Sequence, residues 1–157
     1  MKSFVGTCLI IIALSTQALA FKVGATPDSK RTSGELCDST DPDFEDYRYE
    51  EKIAWCLRNV DTSLKNKIFE LYKVPQPCRA QYTIDHFIPL ALGGNNSMSN
   101  LWPEHKQVKA TRQNLEQVLY NQINRAEITQ ADAIKRVVYA KKNPSKAAYG
   151  IVDNCAP

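Results

Sequence analysis

The sequence is short of histidine, with only two, and of net charge, with a formal +3. It has no closely spaced cysteine pair, no internal repeat and only one long apolar run. Each shortage excludes something. The run, residues 5–14, is too short to cross a bilayer comfortably and gives way to Ser15, Thr16 and Gln17, and no later segment is apolar enough to span one. Without CxxC spacing, the cysteines do not read as a structural zinc site. A charge of +3 gives no strong global field, and the lack of repeats excludes a solenoid.

What is present suits one domain, because 157 residues can close a single core but are few for two. Lys2, the apolar run and Ala18-Leu19-Ala20 read as a secretory signal, so residues 1–20 are expected to be removed and residues 21–157 to form the domain. That predicts a secreted or periplasmic protein, expected to be a monomer. With Cys8 inside the signal, Cys37, Cys56, Cys78 and Cys155 remain, an even number in an oxidising compartment. Two disulfides are expected, in any of three pairings.

The charge is unevenly spread. Residues 21–60 carry nine acids against six bases, and residues 61–157 carry thirteen bases against eight acids. A modestly basic second part suits a polyanionic partner.

Residues 21–60 read as a loop-rich extension pinned by Cys37, with Phe44, Tyr47 and Tyr49 covering the edge of the core. Asp61-Thr62-Ser63 offers a helix cap, and Leu64, Ile68 and Leu71 recur at helical spacing before Pro75 and Pro77. Tyr82 to Ile88 predicts a strand, Gly93-Gly94-Asn95-Asn96 a turn, and Met98 to Trp102 a second short extended stretch. C-terminal helices are expected over residues 103–142. The first would start at Pro103 and set Val108, Leu115, Val118, Leu119 and Gln122 on one face as far as about Asn124. The second would be capped by Thr129 and Asp132, with Ile134, Val137 and Val138 inward and Lys135, Arg136, Lys141 and Lys142 outward, and would stop at Asn143-Pro144. The fold class is α+β.

Both histidines fall in one window, Asp85 to His105, which runs strand, glycine turn, short strand and helix. The pattern Asp85-His86-x-x-Pro89-Leu90-x-x-Gly93-Gly94, followed by Asn100-Leu101-Trp102-Pro103, resembles the HNH family of ββα-metal nucleases over about 25 residues. The resemblance implies a ββα-metal motif, a short two-stranded hairpin embedded among helices. It also implies an endonuclease that uses one divalent cation. Asp85 would hold the metal, His86 would be the base, and Asn100 would bridge backbone groups across the loop and steady His86. The family's final His or Asn commonly lies about nine residues after this Asn, which here is Lys109, a poor ligand when protonated. His105, five after Asn100, therefore stands as the second metal ligand, with Glu104 as a substitute and Asn114 further off.

The chemistry supports the same assignment. Phosphodiester hydrolysis needs an activated water and neutralisation of charge on the phosphoryl oxygens, which a near-neutral imidazole and a divalent cation can supply. An effective His86 needs its second ring nitrogen held by a carbonyl or amide, which fixes the tautomer. Asp85 and His86 are adjacent on a strand, so they can serve one site only if the strand ends or bends there. Mg²⁺, Mn²⁺ or Zn²⁺ fits a mixed carboxylate and imidazole site. Trp102 is expected to pack beneath the loop. Lys106, Lys109 and Arg112, with Lys135 and Arg136, are candidate phosphate contacts, giving salt-sensitive binding of DNA, with RNA as a second candidate. The competing reading is a catalytically silent exported protein that binds nucleic acid or an envelope partner on the same scaffold.

Overall fold

A computed structural model describes residues 25–145. The expected signal, residues 1–20, and Cys155 lie outside the described residues. The architecture is mixed α and β, with two small antiparallel hairpins and helices around them.

The first hairpin pairs β1 (Phe44–Arg48) with β2 (Ile53–Cys56). Most of residues 25–60 is loop, as expected, but this hairpin within it was not foreseen. The strand signal was hidden because β1 is mostly exposed and acidic, whereas only Ile53 and Cys56 of β2 are buried. Its turn is closed by Tyr49 and Lys52 at positive φ, and Arg48 stacks over Trp55. A disulfide joins Cys37 to Cys56, one of the pairings open to the sequence. Cys78 is buried and disulfide-bonded as well.

After β2, Asp61 caps α1 (Thr62–Leu71) by accepting from the Leu64 amide at 2.7 Å, as Asp61-Thr62-Ser63 suggested. Ile68 and Phe69 turn inward. A 3₁₀ stretch, Gln76–Gln81, leads into the second hairpin, β3 (Tyr82–His86) against β4 (Leu101–His105). Between the strands, two 3₁₀ turns, Leu90–Leu92 and Met98–Asn100, frame the glycine loop. Gly93 takes φ +87°, and a Cβ at Gly94 would collide with the Ile88 carbonyl, so each glycine answers a different backbone demand.

Pro103 lies inside β4, not in a helix. The hairpin has only two strands, so an imide nitrogen at an edge leaves no ladder donor missing. The single helix expected to run to Asn124 is two: α2 (Lys106–Ala110) and α3 (Leu115–Asn124), broken at Thr111 to Asn114. The break rotates the buried stripe. Leu119 and Ile123 face the core while Val118 is 48% exposed. Thr129 does cap α4 (Gln130–Lys142), accepting from the Asp132 amide at 3.1 Å.

The core has two adjoining parts. One packs Ile68, Phe69, Tyr72, Ile84, Phe87, Leu101, Trp102 and Val108, so Trp102 is a packing residue. The other joins Ile53 and Leu92 to Leu119, Ile123 and Val137 of α3 and α4. Lys141, expected outside, is buried in α4 at 1% exposure. Burial of a long cation demands carboxylate partners, and the site supplies them.

Candidate functional site

Antiparallel partners point to the same side of a hairpin, and the side alternates along each strand. The observed register therefore puts Thr83, Asp85, Trp102 and Glu104 on one face, and Tyr82, Ile84, His86, Pro103 and His105 on the other. β3 ends at His86 and the chain bends at Phe87 and Ile88, after both residues have been set on the strand. Asp85 and His86 meet at the strand end but look in opposite directions.

His86 is 4% exposed, and both ring nitrogens have partners. Nε2 is 3.0 Å from Asn96 Oδ1, and Nδ1 is 3.1 Å from Arg58 Nη1. The tautomer follows from those partners. Asn96 donates its amide hydrogens to Asp43 Oδ2 at 2.9 Å and to the Leu57 carbonyl at 2.7 Å, so its oxygen must be the atom that meets His86. Nε2 carries the proton and donates it to Asn96. A guanidinium can only donate, so Nδ1 presents its lone pair to Arg58. Burial, reinforced by the Arg58 charge and opposed by the Asn96 hydrogen bond, moves the imidazole pKa below its usual value. His86 is thus a neutral imidazole with one nitrogen anchored by an amide oxygen, the second support that its sequence role required. Arg58 itself is exposed, held also by the Ile84 carbonyl at 3.2 Å.

Asn100 is fully buried and ties the loop across its mouth. Its Oδ1 accepts from the Ile88 amide at 2.9 Å, and its Nδ2 donates to the carbonyls of Ile88 at 3.0 Å and Asn95 at 2.8 Å. None of these hydrogen bonds goes to His86. By fixing the Asn95 carbonyl, Asn100 places the neighbouring Asn96, which does meet His86. The same loop is held from outside by residues 34–37, through Gly34 N to Ser99 O at 2.9 Å, Cys37 N to Gly93 O at 2.8 Å and Asn95 N to Glu35 O at 3.2 Å.

The opposite face is a charge cluster. Asp85 Oδ1 accepts from Lys109 Nζ at 2.5 Å and its Oδ2 from Lys141 Nζ at 3.0 Å. Lys141 also meets Glu116 Oε1 at 2.9 Å and the His86 carbonyl at 2.5 Å. Arg112 pairs with Glu104. Burial pushes the Asp85 carboxyl up, but the Lys141 and Lys109 ammoniums outweigh it and hold the pKa well below the carboxylate range. Burial and the adjacent Asp85 charge push Glu104 the other way, to about 7. Burial disfavours the Lys141 ammonium, yet Asp85, Glu116 and Glu104 together raise its pKa. Beside the cluster opens a cleft of about 110 Å³ lined by Lys109, Arg112, Gln113, Leu115, Glu116 and Lys141. Arg112 Nη1, Trp102 Nε1 and Thr83 Oγ1 are buried without a partner in the chain.

His105 is not brought to this cluster. It pairs with Tyr82, three register positions from Asp85, which is about 10 Å along the strand, and it points to the other face. Its ring caps α2, with Nδ1 accepting from the Gln107 amide at 3.2 Å and Nε2 3.3 Å from Gln81 Oε1, and it packs edge-on to Tyr82. Of the expected ligands, Asp85 and Glu104 lie together. Asn114 is exposed in the break between α2 and α3. Lys106 is exposed beside the half-exposed Lys109, and Lys135 and Arg136 are exposed on α4.

The expected divalent ion does not fit here. Both Asp85 oxygens already accept from ammoniums, and the carboxyls of Asp85, Glu104 and Glu116 face three cations, Lys109, Arg112 and Lys141. Of the buried carboxylate oxygens there, only Glu104 Oε2 is left without a partner, and one carboxylate oxygen cannot balance the two charges that a dication would add. Among the described residues, three possible ligands come within reach of one another only at Cys37, Asp41 and Cys56, where the disulfide removes both thiolates.

Comparison with family models, curated proteins and solved structures finds no match for this chain. The functional reading rests on the residues themselves. Five site members escaped the sequence: Asp43, Arg58, Asn96, Glu116 and Lys141. Asn96 sits in the Gly-Gly-Asn-Asn turn, where a turn asparagine carries no sign of its partner, and the others meet the motif only through folding.

Proposed function

We propose that this protein is an exported endonuclease of the HNH type, hydrolysing phosphodiester bonds of DNA, with RNA as a second substrate class, on a strand–strand–helix scaffold. One observation carries the reading: His86 is a neutral imidazole whose Nε2–H is anchored by Asn96 and whose Nδ1 lone pair faces an exposed guanidinium. A phosphodiester draws Arg58 onto its oxygens, since guanidinium pairs more strongly with an anion than with an imidazole. Nδ1 is then free to accept a proton from water. The water oxygen forms a bond to phosphorus, the bond from phosphorus to the leaving ester oxygen breaks, and that oxygen takes a proton from solvent as His86 returns its own. Asn96, fixed by Asp43 and by the loop that Asn100 ties, keeps the ring from turning.

A disulfide, and the absence among the described residues of any helix long and apolar enough to cross a membrane, suit an exported protein. One observation favours the silent-binder reading: in the free chain Nδ1 is engaged by Arg58. A plasmid-nicking assay with the mature, oxidised protein, run in EDTA and with Mg²⁺, Mn²⁺ or Zn²⁺, separates the two. Nicking that His86→Ala abolishes supports the hydrolase. Salt-dependent binding without nicking in every condition supports the binder, and undiminished nicking by folded His86→Ala removes His86 from the chemistry.

A further inference from the structure

We infer that the cations serving this site belong to the chain: the ammoniums of Lys109 and Lys141 stand at Asp85 where a divalent ion would, and the phosphodiester is met by Arg58 and Lys109 without a metal. The inference rests on the hydrolase reading for its catalytic half and on geometry alone for its metal half. Asp85 is nearly buried, and neither of its oxygens is open, one facing Lys109 and the other Lys141. Lys141 cannot leave. Its side chain is 1% exposed and is held by Asp85, Glu116 and the His86 carbonyl at once. It therefore acts as the permanent counter-ion that fixes the end of β3. Lys109 is different, at 45% exposure, with its ammonium at the lip of the cleft it lines with Arg112.

Two exposed cations thus flank the end of β3, Arg58 on the His86 face and Lys109 on the Asp85 face. A phosphodiester lying across that end can take a charge-assisted hydrogen bond from each. In the hydrolysis written above they neutralise the charge that builds on the non-bridging oxygens, which in a metal enzyme is the task of the ion. Neither donates a proton irreversibly, so the balance of the step is unchanged.

Two readouts test this. Manganese binding is followed by calorimetry on the wild type, Asp85→Asn and Lys109→Ala, and plasmid nicking is followed after exhaustive EDTA treatment. We expect no Asp85-dependent Mn²⁺ binding in the wild type, nicking that EDTA leaves unchanged, and at least a tenfold loss of nicking in Lys109→Ala with partial return in Lys109→Arg. Lys109→Ala, half-exposed and outside the core, also covers the case in which Asp85→Asn fails to fold, because emptying Asp85 Oδ1 should create Mn²⁺ binding that the wild type lacks. Mn²⁺ bound by the wild type and lost in Asp85→Asn, or nicking that EDTA abolishes and Mn²⁺ restores, overturns the inference and leaves the hydrolase reading standing. Nicking absent in every condition overturns the hydrolase reading and with it the catalytic half, while the calorimetry still decides whether lysine has displaced the metal.

Discussion

Replacing Lys141 by Met keeps most of the side-chain volume and removes one buried charge. In the wild type that charge sits between Asp85 Oδ2 at 3.0 Å and Glu116 Oε1 at 2.9 Å, with the His86 carbonyl at 2.5 Å. Breaking a buried ion pair from one side costs about 3–5 kcal/mol because the partner is stranded. Two features of this site pull toward the lower figure. Asp85 keeps Lys109, and Glu116, at 41% exposure, recovers water, so its share is about 0–1 kcal/mol. A loss of about 3 kcal/mol is expected at pH 7, which for a domain of this size lowers Tm by roughly 10 °C. The pH dependence has a definite sign. Asp85 has its folded pKa held below its unfolded one, so its contribution is complete above the unfolded value, near about 3.9, and is lost as pH falls through the folded value. Thermal unfolding by circular dichroism should therefore show a gap between wild type and Lys141→Met that is full at pH 7 and closes from about pH 4 downward. Adding Asp85→Asn to Lys141→Met should cost less than the two single changes summed. A variant within about 1 kcal/mol of wild type at pH 7 would refute the buried cluster as drawn.

Asn96→Ala removes the acceptor that holds the His86 Nε2–H; it should reduce nicking by roughly ten- to a hundredfold, with the larger change in kcat, as measured by steady-state cleavage of a fluorescent duplex. Because burial and Arg58 both lower the His86 pKa, the acid limb of kcat/KM against pH should fall below about 6.5, and Arg58→Gln should move that limb to higher pH; a limb that stays put argues against the contact. Gly94→Ala drives a methyl into the Ile88 carbonyl and crowds Asn100 Nδ2 at 2.8 Å, so a stability loss of about 3 kcal/mol in urea unfolding should accompany loss of nicking. Removing the Cys37–Cys56 bond, which spans 19 positions, in a Cys37→Ala/Cys56→Ala variant should cost about 3 kcal/mol by the loop-entropy argument, read as a drop in Tm against the oxidised wild type.

Local signals were readable wherever one segment sufficed to make them. The Asp61 and Thr129 caps lie within three residues of the amides they serve, and the Gly93-Gly94 turn needs only its own backbone. The bridge that the resemblance implied for Asn100 falls on partners within one loop, Ile88 and Asn95. The β1–β2 hairpin was not, since its strands are short and mostly exposed and are joined to the rest by the disulfide and by Asp43, which reaches Asn96. His105 was misplaced because nearness in sequence to Glu104 says nothing of facing, and one step along β4 turns a side chain to the other side.

The sequence by itself determined the order of elements around the two histidines, their caps and turns, and the chemistry that Asp85, His86 and Asn100 could offer, because each depends on neighbours a few bonds away. Tertiary structure alone decided what those groups meet. Arg58 comes to His86 across 28 positions and Lys141 to Asp85 across 56, and no local pattern marks either encounter. Lys141 read as a solvated helix cation, but α4 packs it against three oxygen acceptors. That burial is what turns Asp85 from an expected metal ligand into the counter-ion of two lysines, since a carboxylate's role is set by the charges that surround it.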